Sequence, residues 1–295
     1  MTCQADNLPG VSRQAVTWPA ASQPGQSQIA PTPLLSIFPG IDLFGRGFEA
    51  EGFCVVRGPD IIWGGDIRAF HVPRGVFMGI LGGSPCQDFS SIRRDAPTGY
   101  GVEMLSEFAR VVTEAGPEWW ILENVPRVPD LKIDGYFVQR FNVRASEFGG
   151  KQHRLRSFQF GSRDAAPIVL PRCVTNPVAT EAAALASEGK KKSRRGWAEF
   201  CSLQGLDEPL ELPGLTVAAK YKAVGNGVYV PLARVIARAI RDRCVTDCRV
   251  CICGCGRLVS GKGHHATASC RKIMQRRRDA AAVTEPGPVT RAASL

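Results

Sequence analysis

Val76-Phe77-Met78-Gly79-Ile80-Leu81-Gly82-Gly83-Ser84-Pro85-Cys86-Gln87 is the stretch on which the reading of this chain turns. An apolar run over residues 76–81 has the length and bounding glycines of a buried strand, and the Gly/Pro-rich tetrad that follows is a loop. A cysteine placed there is rigidly aimed at the carboxyl edge of a sheet, where open α/β folds hold their ligands. That is a place for a nucleophile. A small hydrophobe filling a turn would account for an isolated Pro-Cys equally well, so the surrounding chain has to decide.

Working outward, residues 34–38 form a short apolar run broken at Pro39-Gly40, and residues 44–50 read as a helix ending at Gly52. Residues 53–56 give a second strand, Gly65-Asp66-Ile67 closes a further short segment, residues 103–114 form an amphipathic helix, and residues 119–122 form a strand closing on Glu123-Asn124-Val125. Strands alternating with helices predict an α/β fold with a mostly parallel sheet. Beyond Gly149 the pattern loosens. Residues 157–160 alternate like an edge strand, Pro167, Pro171 and Pro177 mark an irregular stretch, and residues 228–240 are helical, with Leu232, Val235, Ile236, Ala239 and Ile240 on one face.

The 295 residues are enough for one large domain with an appendage, and no apolar stretch approaches the roughly 18 residues of a membrane span. The Gln/Ser/Pro-rich start has no basic head followed by an apolar segment, so a secretory signal is not expected and the eleven cysteines are expected in a reducing cytoplasm. The net charge of +10 is uneven: the stretch from Arg241 to Arg278 carries ten Lys/Arg against Asp242 and Asp247 and leaves only +2 for the rest. A second basic knot lies at Lys190-Lys191-Lys192-Ser193-Arg194-Arg195. Both are candidate phosphate-contacting surfaces.

Six signals then fall in order: Phe38-Pro39-Gly40, Pro85-Cys86-Gln87, Glu123-Asn124-Val125, Gln152-His153-Arg154-Leu155-Arg156, Glu199 through Leu203-Gln204-Gly205, and Gly225-Asn226-Gly227-Val228. In this order they resemble the DNA (cytosine-5) methyltransferase family. The resemblance implies a Rossmann-like fold that uses S-adenosylmethionine, with a very small target-recognition region and a short zinc-knuckle-like appendage at the end. It implies a thiolate from Cys86 adding to carbon 6 of an extruded cytosine, Glu123 steadying the ring through its Watson–Crick edge, Arg156 holding the cytosine oxygen, and Arg154 supporting the loop of Cys86. Gln87 and the Ser90-Ser91 pair would line the path of the base.

For the cofactor the resemblance implies Phe38, Pro39, Gly40 and Ile41 around the methionine end, Asp66 and Ile67 at the adenine, Asn226 and Val228 closing the site, with Gly83 and Pro85 nearby. Three positions depart from the family's pattern. Ser36 stands for an acidic residue, Asp42-Leu43 for a glycine pair, and Pro59 for the ribose-binding acid, a role that Asp60 could take. Two alternatives therefore stay open: a DNA-binding relative that no longer transfers methyl groups, and a tRNA cytosine methyltransferase.

The expected organisation is a disordered tail over 1–33, a catalytic core over 34–160, a recognition region over 161–195, the rest of the core over 196–243, a Cys-rich basic module over 244–279 and a disordered tail over 280–295. In the Cys-rich module the preferred zinc ligands are Cys251, Cys255, His265 and Cys270, with Cys248 and Cys253 as contenders. Expected partners are double-stranded DNA and, as a candidate, a cognate restriction endonuclease. No membrane is expected, and the chain is read as a monomer in the cytoplasm beside the nucleoid.

Overall fold

The computed structural model describes residues 33–90, 96–171, 180–243, 249–250, 258–259 and 268–284. Ser91, the zinc candidates Cys248, Cys251, Cys253, Cys255 and His265, and both expected tails apart from Pro33 and residues 280–284 lie outside them.

Six strands form one sheet: β1 (Leu34–Ile37), β2 (Val55–Arg57), β3 (Gly79–Gly82), β4 (Trp119–Asn124), β5 (Phe137–Arg144) and β6 (Leu155–Ser162). Their order across the sheet is β2-β1-β3-β4-β6-β5. The first four run parallel, and β6 runs antiparallel to both β4 and β5. The fold is therefore α/β with a mostly parallel sheet.

The central strands read as continuous apolar runs because both of their faces are covered. Leu35, Ile37, Ile80, Trp120 and Leu122 face helix α2 (Tyr100–Ala115), whose Met104, Leu105, Phe108, Val111 and Val112 form the matching stripe. Leu34, Leu81, Trp119 and Ile121 face the other way, onto α1 (Leu43–Glu49) and the helix Val230–Arg241. Two glycines make room for the tryptophans. Gly79 lies opposite Trp119 and Gly161 opposite Trp120, and a Cβ on either would come within 2.3 Å of the indole.

Several sequence expectations shift here. Residues 157–160 do not form an edge: β6 is an interior strand, and β5, which the sequence reading passed over, is the edge. Polar and apolar residues alternate over Arg140-Phe141-Asn142-Val143-Arg144, and the strand fully buries only Gln139 and Val143, as a half-covered edge strand should. The third strand begins at Gly79 rather than Val76, which is exposed. The second begins at Val55, because the Phe53 amide is spent on the turn after α1, donating to Phe48 O. The segment closing at Gly65-Asp66-Ile67 is built from single 3-10 turns at Ile61–Trp63 and Ile67–Ala69.

Two helices follow the sheet, α3 (Trp197–Leu203) and α4 (Val217–Asn226), and Val230–Arg241 is α5. The apolar stripe of α5 docks on α1 through Leu232, Ala233, Ile236, Ala237 and Ile240, with Val235 and Ala239 half-buried at its margin. Its basic face is anchored as well. Arg234 Nε and Arg238 Nε lie 2.8 and 2.7 Å from the two carboxylate oxygens of Glu51, whose side chain is 8 % exposed. These guanidinium hydrogen bonds, Arg238 first, hold the Glu51 pKa at about 2, so its contribution is full above the ordinary glutamate range and lost as pH falls through about 2. Glu51→Gln should lower the melting temperature at neutral pH by about 2–4 °C, allowing for the exposure of the arginines. Thermal melts should show the gap between the two proteins narrowing as the pH is taken below 4. A gap independent of pH would mean that the charge is not what clamps α5.

Among the described residues, no helix is long and apolar enough to cross a membrane.

Candidate active site

β1, β3 and β4 end at the same edge of the sheet, in the register Ile37–Gly82–Leu122. Because β6 runs the other way, it begins at that edge, with Asn124 opposite Ser157. The residues after three parallel strands and those before one antiparallel strand thus converge on one rim.

The loop after β3 is fixed at both ends. Asn124 Nδ2 donates to Ser84 O and Ser84 Oγ at 3.1 and 3.0 Å, bolting its start to the end of β4 in a buried contact. Asp88 accepts from Gly101 N at 2.7 Å and Thr98 N at 3.0 Å, tying its far end to the start of α2. Cys86 sits between these anchors at φ −101°, ψ 2°, in the sparsely populated bridge region. It is half-buried, while Gln87 is exposed.

Glu123 is 7 % exposed, and its Oε2 lies 3.4 Å from where a Cβ on Gly83 would stand. Its Oε1 is 2.8 Å from Arg156 Nε, an ion pair without hydrogen-bond alignment that leaves this oxygen a buried acceptor with no hydrogen bond. Burial pushes the Glu123 carboxyl above its ordinary range, against the opposing pull of Arg156 and Arg154. Burial and the neighbouring Glu123 likewise push the Cys86 thiol up, with Arg156 and Arg154 opposing. Here two acidic groups share a poorly solvated rim with two guanidinium groups, and each resists ionising while the other is charged.

Arg154 is 6 % exposed and donates to Ala184 O at 2.9 Å and Gly227 O at 3.2 Å. Burial, then Arg156, presses its pKa down, but a guanidinium remains a cation in proteins. Its bonds run to backbone, as befits a brace for the rim. Gln152, fully buried, completes the brace by accepting from Ala184 N and donating to Leu203 O and Gln204 Oε1.

The turn after β1 carries three positive φ angles, at Phe38 (52°), Gly40 (56°) and Asp42 (57°). Two departures from the family's pattern are bonded to each other: Ser36 Oγ donates to Asp42 Oδ1 at 2.8 Å, and the same oxygen accepts from Gly45 N at 2.9 Å. Burial raises the Asp42 pKa, against the lowering effect of these bonds. Asp60 serves this turn too, accepting from Gly40 N at 2.8 Å, and Trp63 Nε1 donates to Gly40 O at 2.7 Å.

The remaining sequence-predicted cofactor residues are spread around this rim. Pro39, Gly83 and Pro85 are half-buried, Ile41 and Val228 are buried, and Asn226 is exposed at the end of α4. Asp66 is paired with Arg68 at 2.7 Å; Ile67 packs into the core under α2, and its carbonyl accepts from Arg110. Sequence reasoning missed Ile61, Ile62 and Trp63, which are 72, 43 and 58 % exposed beside the Gly40 turn. Three large apolar residues directly after Asp60 and outside any strand were the available signal.

Of the candidate zinc ligands only Cys270 is described; it is buried on the helix Ala268–Thr284, and no metal-ligating cluster exists among the described residues.

The sequence profile of C-5 cytosine-specific DNA methylases matches residues 64–194, which contain Cys86, Glu123, Arg154 and Arg156. The chain is 25 % identical over 174 residues to the Type II methylase M.HgiDII of Herpetosiphon aurantiacus, covering 47 % of this chain and 49 % of that one. It is 38 % identical over 95 residues to the Type II methyltransferase M.HgiDI of the same organism, covering 28 % and 30 %. The matched part thus spans half or less of these relatives' length. In fold it is similar to the Entamoeba histolytica methyltransferase EhMeth, with a TM-score of 0.55 at 12 % identity over 72 % of this chain and 98 % of that one. The profile over residues 64–194 and these relatives support a member of the C-5 cytosine-specific DNA methylase family.

Proposed function

We propose that this chain transfers a methyl group from S-adenosylmethionine to carbon 5 of cytosine in double-stranded DNA, through a covalent bond to Cys86. The observation that carries the reading is the grouping of Cys86, a buried Glu123 with an unbonded oxygen, and Arg156 at one sheet rim. A neutral pyrimidine with a donor-acceptor edge suits that grouping better than an anion does, because Glu123 already supplies the negative charge.

The cofactor's fit rests on the turn over residues 38–42. A Cβ added at Gly40 would meet nothing within 4 Å, so this positive-φ turn opens onto unfilled space, with the apolar Ile61, Ile62 and Trp63 beside it for a purine. S-adenosylmethionine supplies an electrophilic methyl group there. Phe38, Pro39, Gly40 and Ile41 would hold its methionine end; Asp60 retains lone pairs for its ribose. The mutual bonding of Ser36 and Asp42 supports a working turn over a degenerate one.

In the reaction, Cys86 Sγ adds as a thiolate to carbon 6 of the extruded base, and the electron pair displaced into the ring is met by a proton that Glu123 donates at N3. Burial favours the protonated form of Glu123, which suits it to that donation once the base is bound, and Arg156 steadies the cytosine oxygen. Once carbon 5 carries the methyl group, loss of the carbon-5 proton to water, return of the N3 proton to the Glu123 carboxylate and expulsion of Cys86 Sγ as thiolate restore the aromatic ring. Extrusion itself costs about a few kcal/mol, drawn from phosphate and groove contacts.

The DNA methylase profile favours DNA as acceptor over tRNA. The Type II names of the relatives support a place beside a restriction endonuclease. Incubation with tritiated cofactor should label duplex DNA as 5-methylcytosine and leave tRNA unlabelled. Label confined to tRNA would move the substrate class, and none on either acceptor, with DNA bound, would favour a relative that only binds.

A further inference from the structure

Outside the rim lies a second cationic feature that the chemistry does not use. A cavity of about 560 Å³ opens between the basic knot at 190–195, the start of α3 and the first turn of α4, lined by Lys192, Arg194, Arg195, Trp197, Lys220 and Tyr221 among others. None of its lining residues is acidic.

The four cations are not alike. Arg195 is already committed: its Nε donates to Glu188 Oε1 at 2.6 Å, and its terminal nitrogens reach Ala182 O and Ala183 O at 2.8 and 3.2 Å. Lys192, Arg194 and Lys220 have no carboxylate partner among the described residues, and Arg194 makes only a 3.4 Å contact to Lys191 O. Three uncompensated positive charges around one concavity repel one another, and the arrangement is relieved only by an anion with several charges or several anions in a row.

The floor narrows the choice. Trp197 and Tyr221 pack with ring centroids 5.2 Å apart, and both polar tips are turned inward, Trp197 Nε1 to Leu210 O at 3.1 Å and Tyr221 OH to Arg195 O. The half-buried Trp197 ring, backed by the buried Tyr221, gives the cationic rim an apolar floor that fits a sugar-phosphate chain, whose charges meet the rim while a sugar lies on the indole. The cavity is also joined to the active rim by one short stretch of backbone. Arg195 holds Ala182 and Ala183 from the cavity side, while Arg154 and Gln152 hold Ala184 from the rim side.

The geometry points to this cavity as a clamp for successive backbone phosphates of the nucleic-acid strand that delivers its base to Cys86. The assignment rests on the function proposed above, and Lys192, Arg194 and Lys220 are its phosphate-contacting residues.

Fluorescence anisotropy with duplex DNA over a range of chloride concentrations tests it. Lys192→Ala, Arg194→Ala and Lys220→Ala combined should flatten the slope of log affinity against log salt by about 2–3, roughly 0.9 per phosphate lost, and weaken binding at 0.1 M salt by about tenfold to 10²-fold. Lys222→Ala, an exposed lysine of the same helix outside the cavity, should leave the slope unchanged. S-adenosylhomocysteine affinity and the melting temperature should match wild type in both variants, and Lys192→Glu alone serves as a second probe if the triple variant melts early. A wild-type slope in the triple variant and in Lys192→Glu, or an equal loss from Lys222→Ala, would overturn the clamp while leaving methyl transfer to DNA intact. Failure of wild type to bind or methylate DNA at all would instead strike the functional reading.

Discussion

Cys86→Ser is expected to reduce methyl transfer by at least about 10⁴-fold while leaving the affinities for DNA and S-adenosylhomocysteine unchanged. In the proposed mechanism the sulfur is the nucleophile, and a serine hydroxyl in the same half-buried site, beside the same carboxylate, is far harder to ionise. Binding should survive because the loop is held by Asn124 and Asp88 at its ends and not through the thiol. Duplexes carrying 5-fluorocytosine at the target supply the complementary readout. Wild type should form an adduct that survives denaturing electrophoresis, because fluorine cannot leave as the proton does, and Cys86→Ser should form none. Transfer within tenfold of wild type in the serine variant would remove Cys86 from the chemistry.

Glu123→Gln should lower transfer by about 10²–10⁴-fold, the range for a lost general acid, and should at the same time make the thiol easier to ionise. The two effects have opposite signs because Glu123 acts on Cys86 in two ways. As a proton donor it enables addition; as a carboxylate it pushes the thiol up. Alkylation by iodoacetamide at neutral pH should therefore be faster in the variant. The pH profile should change shape as well. The reactive wild-type form, thiolate with neutral carboxyl, has lost one proton in total, as has thiol with carboxylate, so kcat/KM should stay level between the raised carboxyl and raised thiol ionisations. Without the carboxyl, the residual rate should climb with pH until the thiol is ionised. Slower alkylation together with an unchanged profile would show that Cys86 and Glu123 do not share a charge.

Much of this site could be read before any coordinates. Cys86, Glu123 and the two arginines were identified from short motifs at the ends of apolar runs, and a strand that must be buried on both faces announces its end clearly. What stayed hidden depended on neighbours distant in sequence. The elevated thiol comes from burial and then from Glu123, brought alongside by the β3–β4 register, and the Ala184 and Gly227 carbonyls that take up Arg154 are revealed by no local pattern. The edge strand β5 was legible by its alternation but was overlooked, which misplaced β6 at the border of the sheet. Ser36 and Asp42 looked like two separate defects until their hydrogen bond joined them.

The reversed direction of β6 constrains how the proposed methyltransferase would discriminate between DNA sequences. Ser162 lies opposite Trp119, at the far border of the sheet, whereas Glu181 pairs with Gln152 back at the working border. The chain must recross a distance comparable to the eight residues of β6, about 26 Å, between these two points. At about 3.3 Å per residue that distance corresponds to about eight of the 35 residues in the expected recognition region, 161–195. With so few side chains free to inspect a groove, selectivity for a short motif would have to come largely from how readily a given step bends and unstacks.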